Sequence, residues 1–160
     1  MAHKGLRRVA AFAAAVGAMV LLGTTAHSVF VQQAWIVAAG QADGTGHAII
    51  PLTERLDWIA HDLVGMFRAY AASTSIALLI AFLTAGALAR FTGLRMAVFG
   101  FAGAAAIWAL FTALRFFLGS VGVFGARGAL GLMAQMAAGC IAGLLFARLT
   151  TAREPQAPNS

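Results

Sequence analysis

Charge is scarce in this chain: Asp, Glu, Lys and Arg together make up 10% of its 160 residues, against 61% hydrophobic. A soluble domain carries about 25% charged residues. A chain with so few cannot cover its own surface with polar groups in water, which excludes a soluble globular fold. Cysteine is nearly absent. Cys140 stands alone, so no intramolecular disulfide and no cysteine-based metal motif can form, and it reads as a small apolar packing residue. Proline is confined to Pro51, Pro155 and Pro158. Glycine recurs at 119, 122, 125, 128 and 131 with no proline between, which excludes a collagen-like repeat and suits a flexible turn. A clustered basic patch is also missing. The formal charge is +6, but the arginines stand at the ends of apolar runs, so nucleic acid is not an expected partner.

What is present is long apolar runs. The mean hydropathy is +0.87, and the length suits one bundle, not two domains. Three runs are bracketed by arginines: 69–89 by Arg68 and Arg90, 96–114 by Arg95 and Arg115, and 128–147 by Arg127 and Arg148. Each holds about 20 residues, or about 30 Å of helix, the thickness of a hydrocarbon core. In lipid a span must satisfy its own backbone hydrogen bonds, so these runs are helices. A fourth apolar run begins at Val9 behind Lys4, Arg7 and Arg8. It is expected to be a retained span, with cleavage of a signal peptide near Ala26 as the alternative.

The expected fold is therefore all-α and membrane-integral: an antiparallel bundle of four transmembrane helices near 9–30, 67–90, 95–118 and 126–149. Residues 1–150 form one domain, and 151–160, with Pro155 and Pro158, a disordered cytoplasmic tail. Gly40 to Pro51 reads as a loop, and Thr53 as the cap of a new helix. Residues 31–66 are expected outside the spans, as an outer loop and an interfacial amphipathic helix that bends near Gly65 before span two.

Basic residues set the orientation. Lys4, Arg7, Arg8, Arg90, Arg95, Arg148 and Arg153 fall on one side; Arg55, Arg68, Arg115 and Arg127 fall on the other, with the acids Asp43, Glu54, Asp57 and Asp62. This bias predicts an inner-membrane protein with both termini in the cytoplasm. Trp35, Trp58, Tyr70, Phe116, Phe117 and Phe124 would lie near the outer interface, and Trp108 deeper, in packing.

At 100° per residue, Glu54, Asp57, His61, Gly65 and Arg68 share one face of the helix that begins near Thr53. As a solvated face it carries only weak local ion pairs. As a site, it combines with His27, Asp62 and Arg115 into a polar outer cluster, the candidate site of this chain. His27, His47 and His61 with Asp57 or Asp62 are ligand types that zinc or copper accepts, and His27 with His61 could hold a haem. No compact metal motif matches, so no metal and no cofactor is expected. Arg68 and Arg115 equally suit snorkelling to the interface.

Span four carries Gly131, Gln135, Gly139 and Gly143, a helix-packing stripe with one amide, and span three offers Gly100 and Gly103 to receive it. Spans two to four hold no internal Asp, Glu, Lys or His, which counts against a proton-coupled transporter. The layout of four helices with a long first outer loop resembles disulfide-forming membrane oxidoreductases, but their chemistry needs cysteine pairs. No catalytic constellation remains, so the chain is not expected to be an enzyme. The leading expectation is a small accessory or structural subunit, in contact with the lipid bilayer and with other membrane subunits or copies of itself. An oligomeric transporter or channel, and a metal- or haem-binding redox protein, are the alternatives.

Overall fold

The structure is a computed structural model and describes residues 2–42, 44, 49–119 and 128–151. These residues form four helices: α1 Ala2–Ala42, α2 Leu52–Thr92, α3 Arg95–Leu118 and α4 Ala129–Thr150, with no strand among them. All four are long and apolar enough to cross a membrane. At 1.5 Å per residue, α1 and α2 are each about 60 Å long, and α3 and α4 about 35 Å.

The helices form a ring in which each packs on its sequence neighbours and α1 closes onto α4. The Arg7 guanidinium donates to the carbonyls of Leu149 and Thr151 at 3.0 and 2.5 Å, so the start of α1 satisfies carbonyls that the end of α4 leaves open. Gly93 makes the short turn from α2 to α3. It sits at φ 68° and its N–H returns to the Ala89 carbonyl, a left-handed cap that glycine adopts without strain.

Two expectations for 31–66 are corrected. α1 runs on to Ala42, and α2 starts at Leu52 and passes through Gly65 without a break. Among the described residues there is no separate interfacial helix; the stretch expected to form it is the first half of α2. The physical reason is mutual support between the two long helices. Gln32 Nε2 donates to the Arg55 carbonyl at 3.1 Å, and Trp35 meets Trp58 edge-to-face at 6.1 Å. Pro51, with φ −57°, takes the cap position assigned to Thr53, and no side chain bonds there. The expected start of α4 at 126, the tail from 152, and His47, Phe124 and Arg127 lie outside the described residues.

Inside the ring the chain changes character along its axis. At the end holding both Arg7 and Thr151, one phenylalanine from each helix fills the centre. Phe82 stacks on Phe146 at 4.8 Å, Phe99 lies 5.2 Å from Phe146, and Phe12 meets Phe82 edge-on at 6.2 Å. Met19, Leu78 and Ile107 follow, all fully buried. α3 and α4 touch backbone to backbone: a Cβ on Gly139 would stand 2.5 Å from the Gly103 carbonyl oxygen, and one on Gly143 would strike the Phe99 carbonyl. Large side chains instead point outward, among them Leu83, Ile80, Phe101 and Met133. Trp108, expected to pack, is half exposed. An apolar centre surrounded by an outer surface that is itself made of large apolar side chains is unlike a soluble bundle, whose outer face is polar.

Candidate functional site

Beyond the apolar half, the interior becomes polar. Tyr70 on α2, expected at an interface, is instead buried inside the ring, where its hydroxyl donates to Gln135 Oε1 of α4 at 2.5 Å. Gln135 Nε2 donates to the Gly23 carbonyl of α1 at 2.8 Å. One amide therefore ties three helices, with its oxygen and nitrogen each given a partner of the right kind. Glycine at 23 is required by this closeness: a Cβ there would collide with the Tyr70 hydroxyl and stand 2.8 Å from Gln135 Oε1. Thr74 adds a bond to the Tyr70 carbonyl at 2.6 Å.

Above this knot α1 presents Thr24, Ser28 and Gln32, one helical turn apart and all at most 1% exposed. Gln32 Nε2 reaches Ser28 Oγ at 3.4 Å as well as the Arg55 carbonyl. Thr24 Oγ1 is buried with no hydrogen-bond partner. This seam is not legible from hydropathy, because the polar residues of 24–33 only dilute an otherwise apolar run. Their spacing of four was the available signal.

The expected site residues separate into two groups. His27 is buried on α1, and Asp62 of α2 is the charge that bears on it. Asp57, His61, Arg68 and Arg115 are exposed. The expected convergence of all six is therefore corrected to a buried His27, a half-buried Asp62 whose charge bears on it, and four outward groups. The first half of α2 packs its other face on α1, which turns the Asp57–His61–Arg68 stripe away. Among the described residues no three His, Cys, Asp or Glu are grouped to hold a metal. Of the helix-packing set, Gly131, Gln135, Gly139 and Gly143 are all buried within the single chain.

The long helices also stand proud of the short ones. From the level of Gln135, α4 ends within about 9 Å at Ala129, while α1 runs on for about 28 Å to Ala42. The α1–α2 hairpin thus projects about 20 Å past the start of α4, and the exposed Glu54, Asp57 and His61 lie on it. Compared with protein-family models, with curated proteins and with solved structures, the chain matches none of them.

Proposed function

We propose that this chain is a multi-pass protein of an inner membrane, an antiparallel four-helix bundle with both termini in the cytoplasm, that works as an accessory or structural subunit by contact. The observation that carries this reading is the projecting hairpin. The bundle spends its interior groups on itself, while Glu54, Asp57 and His61 are exposed on α2, about 15, 10 and 5 Å past the start of α4, where a partner can reach them. The arginine brackets at Arg68–Arg90 and Arg95–Arg115 fit a hydrocarbon core of about 30 Å. The outward leucines, isoleucines and phenylalanines between them fit lipid contact.

The channel reading is less favoured. Gln135 and the glycine stripe, which would have to line a pore between copies, are buried against α1, α2 and α3 of the same chain. The metal or haem reading is less favoured, because His27 is buried on α1 while His61 is exposed on α2.

Photo-crosslinkers placed at Asp57 and His61, with Leu83 as a lipid-facing control, test the contact reading in native membranes. A discrete adduct from the hairpin positions and none from Leu83 is the expected result. A strictly monomeric protein with no adduct at any position would remove the reading. Solute flux through reconstituted vesicles would replace it with the channel.

A further inference from the structure

At the end of the bundle opposite the hairpin is a cavity of about 340 Å³ to which all four helices contribute. Arg8 of α1, Arg90 of α2, Arg95 of α3 and Thr150 of α4 form its rim, and Phe99 and Phe146 its floor. The cations are not interchangeable. Arg8 and Arg90 are exposed, as snorkelling side chains would be. Arg95 is fixed in place. Its Nη2 donates to Thr150 Oγ1 at 2.6 Å, and its guanidinium carbon lies 4.9 Å from the centre of the Phe99 ring. That hydroxyl spends its own proton on the Phe146 carbonyl at 2.6 Å, so it can only accept from Arg95.

Two things are left unbalanced. Arg95 Nε is buried and has no hydrogen-bond partner. A nearby charge that bears on Arg95 is Arg8, of the same sign. The acids among the described residues, Glu54, Asp57 and Asp62, all lie at the far end of α2, while Glu154 lies outside the described residues. Like charges gathered over an apolar floor, with an unsatisfied N–H, are a receptor for an anion with several acceptor oxygens. Guanidinium groups match phosphate in particular, because the planar fork gives paired bonds. Basic pockets between membrane helices on the cytoplasmic side take phospholipid headgroups in this way.

We propose that the Arg8–Arg90–Arg95 pocket binds a phosphate group, carried by an anionic phospholipid or free in solution. The phosphate sits among the three guanidiniums and supplies the acceptor that Arg95 Nε lacks. In the lipid case the glycerol and first acyl carbons lie along Leu83 and Gly86, which also line the cavity. The lipid case rests on the membrane reading above but not on the contact function.

The test uses the purified full-length chain in nanodiscs of phosphatidylcholine, with and without phosphatidylglycerol, and native mass spectrometry of the released protein. One phosphatidylglycerol retained per chain is expected. Arg8→Gln and Arg95→Gln should each weaken retention about tenfold or more, the range for a lost charge-assisted hydrogen bond. Arg68→Gln, at the other end, should leave retention unchanged. Arg95→Lys keeps the charge and discards the fork, so an intermediate loss is expected and folding failure is controlled. Binding of inorganic phosphate with the same variant dependence would assign the same site to a soluble anion. Retention indifferent to Arg8 and Arg95, or equally sensitive to Arg68, would overturn the proposal. No partner protein enters this assay, so its failure leaves the crosslinking result standing.

Discussion

Tyr70 and Gln135 are 65 residues apart in the chain and share a 2.5 Å hydrogen bond in the middle of the bundle. The pair joins α2 to α4, two helices that stand across the ring from each other, and Gln135 extends the link to α1 through the Gly23 carbonyl. Most of the packing runs between ring neighbours, so this bond is a cross-brace.

Removing the hydroxyl should therefore loosen more than one interface. Tyr70→Phe leaves Gln135 Oε1 without its donor, at a cost of about 1 kcal/mol, between the average for membrane hydrogen bonds and that for buried unpaired acceptors. Gln135→Leu should cost more, since the Gly23 carbonyl loses its donor too. The double variant should be less destabilised than the sum of the two. Reversible unfolding in mixed detergent micelles measures all three. Additive losses would mean that the pair does not act as a unit.

Two glycines near this level should differ in tolerance. Gly139→Ala places a methyl group against the Gly103 backbone carbonyl, which cannot swing aside, and should cost about 1–3 kcal/mol by overpacking. Gly23→Ala meets side-chain atoms of Tyr70 and Gln135, which can move at the expense of their hydrogen bonds. Combining Gly23→Ala with Tyr70→Phe should recover part of the loss, whereas Gly139→Ala should be unaffected by Tyr70→Phe. The same unfolding measurement separates the two cases.

The buried hydroxyl of Thr24 predicts a gain. Its Oγ1 has no partner, so Thr24→Val removes an unpaid desolvation cost while keeping the shape of the side chain. Stability should be unchanged or raised by about 1 kcal/mol. A loss of stability would reveal a bond to Thr24 that the packing described here does not contain.

The hairpin depends on contacts outside the four-helix part. Trp58→Ala removes the edge-to-face pair with Trp35, worth about 0.5–1.5 kcal/mol beyond buried area. Amide exchange should quicken in 31–42 and 52–60 and stay the same around Phe82 and Phe146. Uniform acceleration through the whole chain would show that hairpin and bundle unfold as one unit.

Helix positions were legible because the arginine brackets carry a length scale, and α3 at Arg95–Leu118 lies where those brackets put it. The reach of α1 and α2 was not. Nothing between 31 and 66 is apolar enough to read as a span from composition alone, and the helices persist there because Gln32 and Trp35 find Arg55 and Trp58 across the hairpin. The polar knot was half legible. Gln135 stood out as a lone amide in an apolar run. Tyr70 did not, since one aromatic beside Arg68 reads as an interfacial anchor until its partner 65 residues away is known. The outer cluster was overdrawn for a related reason. Helical phase placed Asp57, His61 and Arg68 on one face, but phase alone cannot say that this face turns from α1.

The central claim is four crossings with the hairpin outside. Single cysteines at Gly44, Asp57, Leu83 and Gly93, in a Cys140→Ala background, can be labelled in intact cells with a membrane-impermeant maleimide. Gly44→Cys and Asp57→Cys should label from outside, Gly93→Cys only after the membrane is opened, and Leu83→Cys in neither condition. External labelling at 93 with protection at 44, or ready labelling at 83, would contradict it.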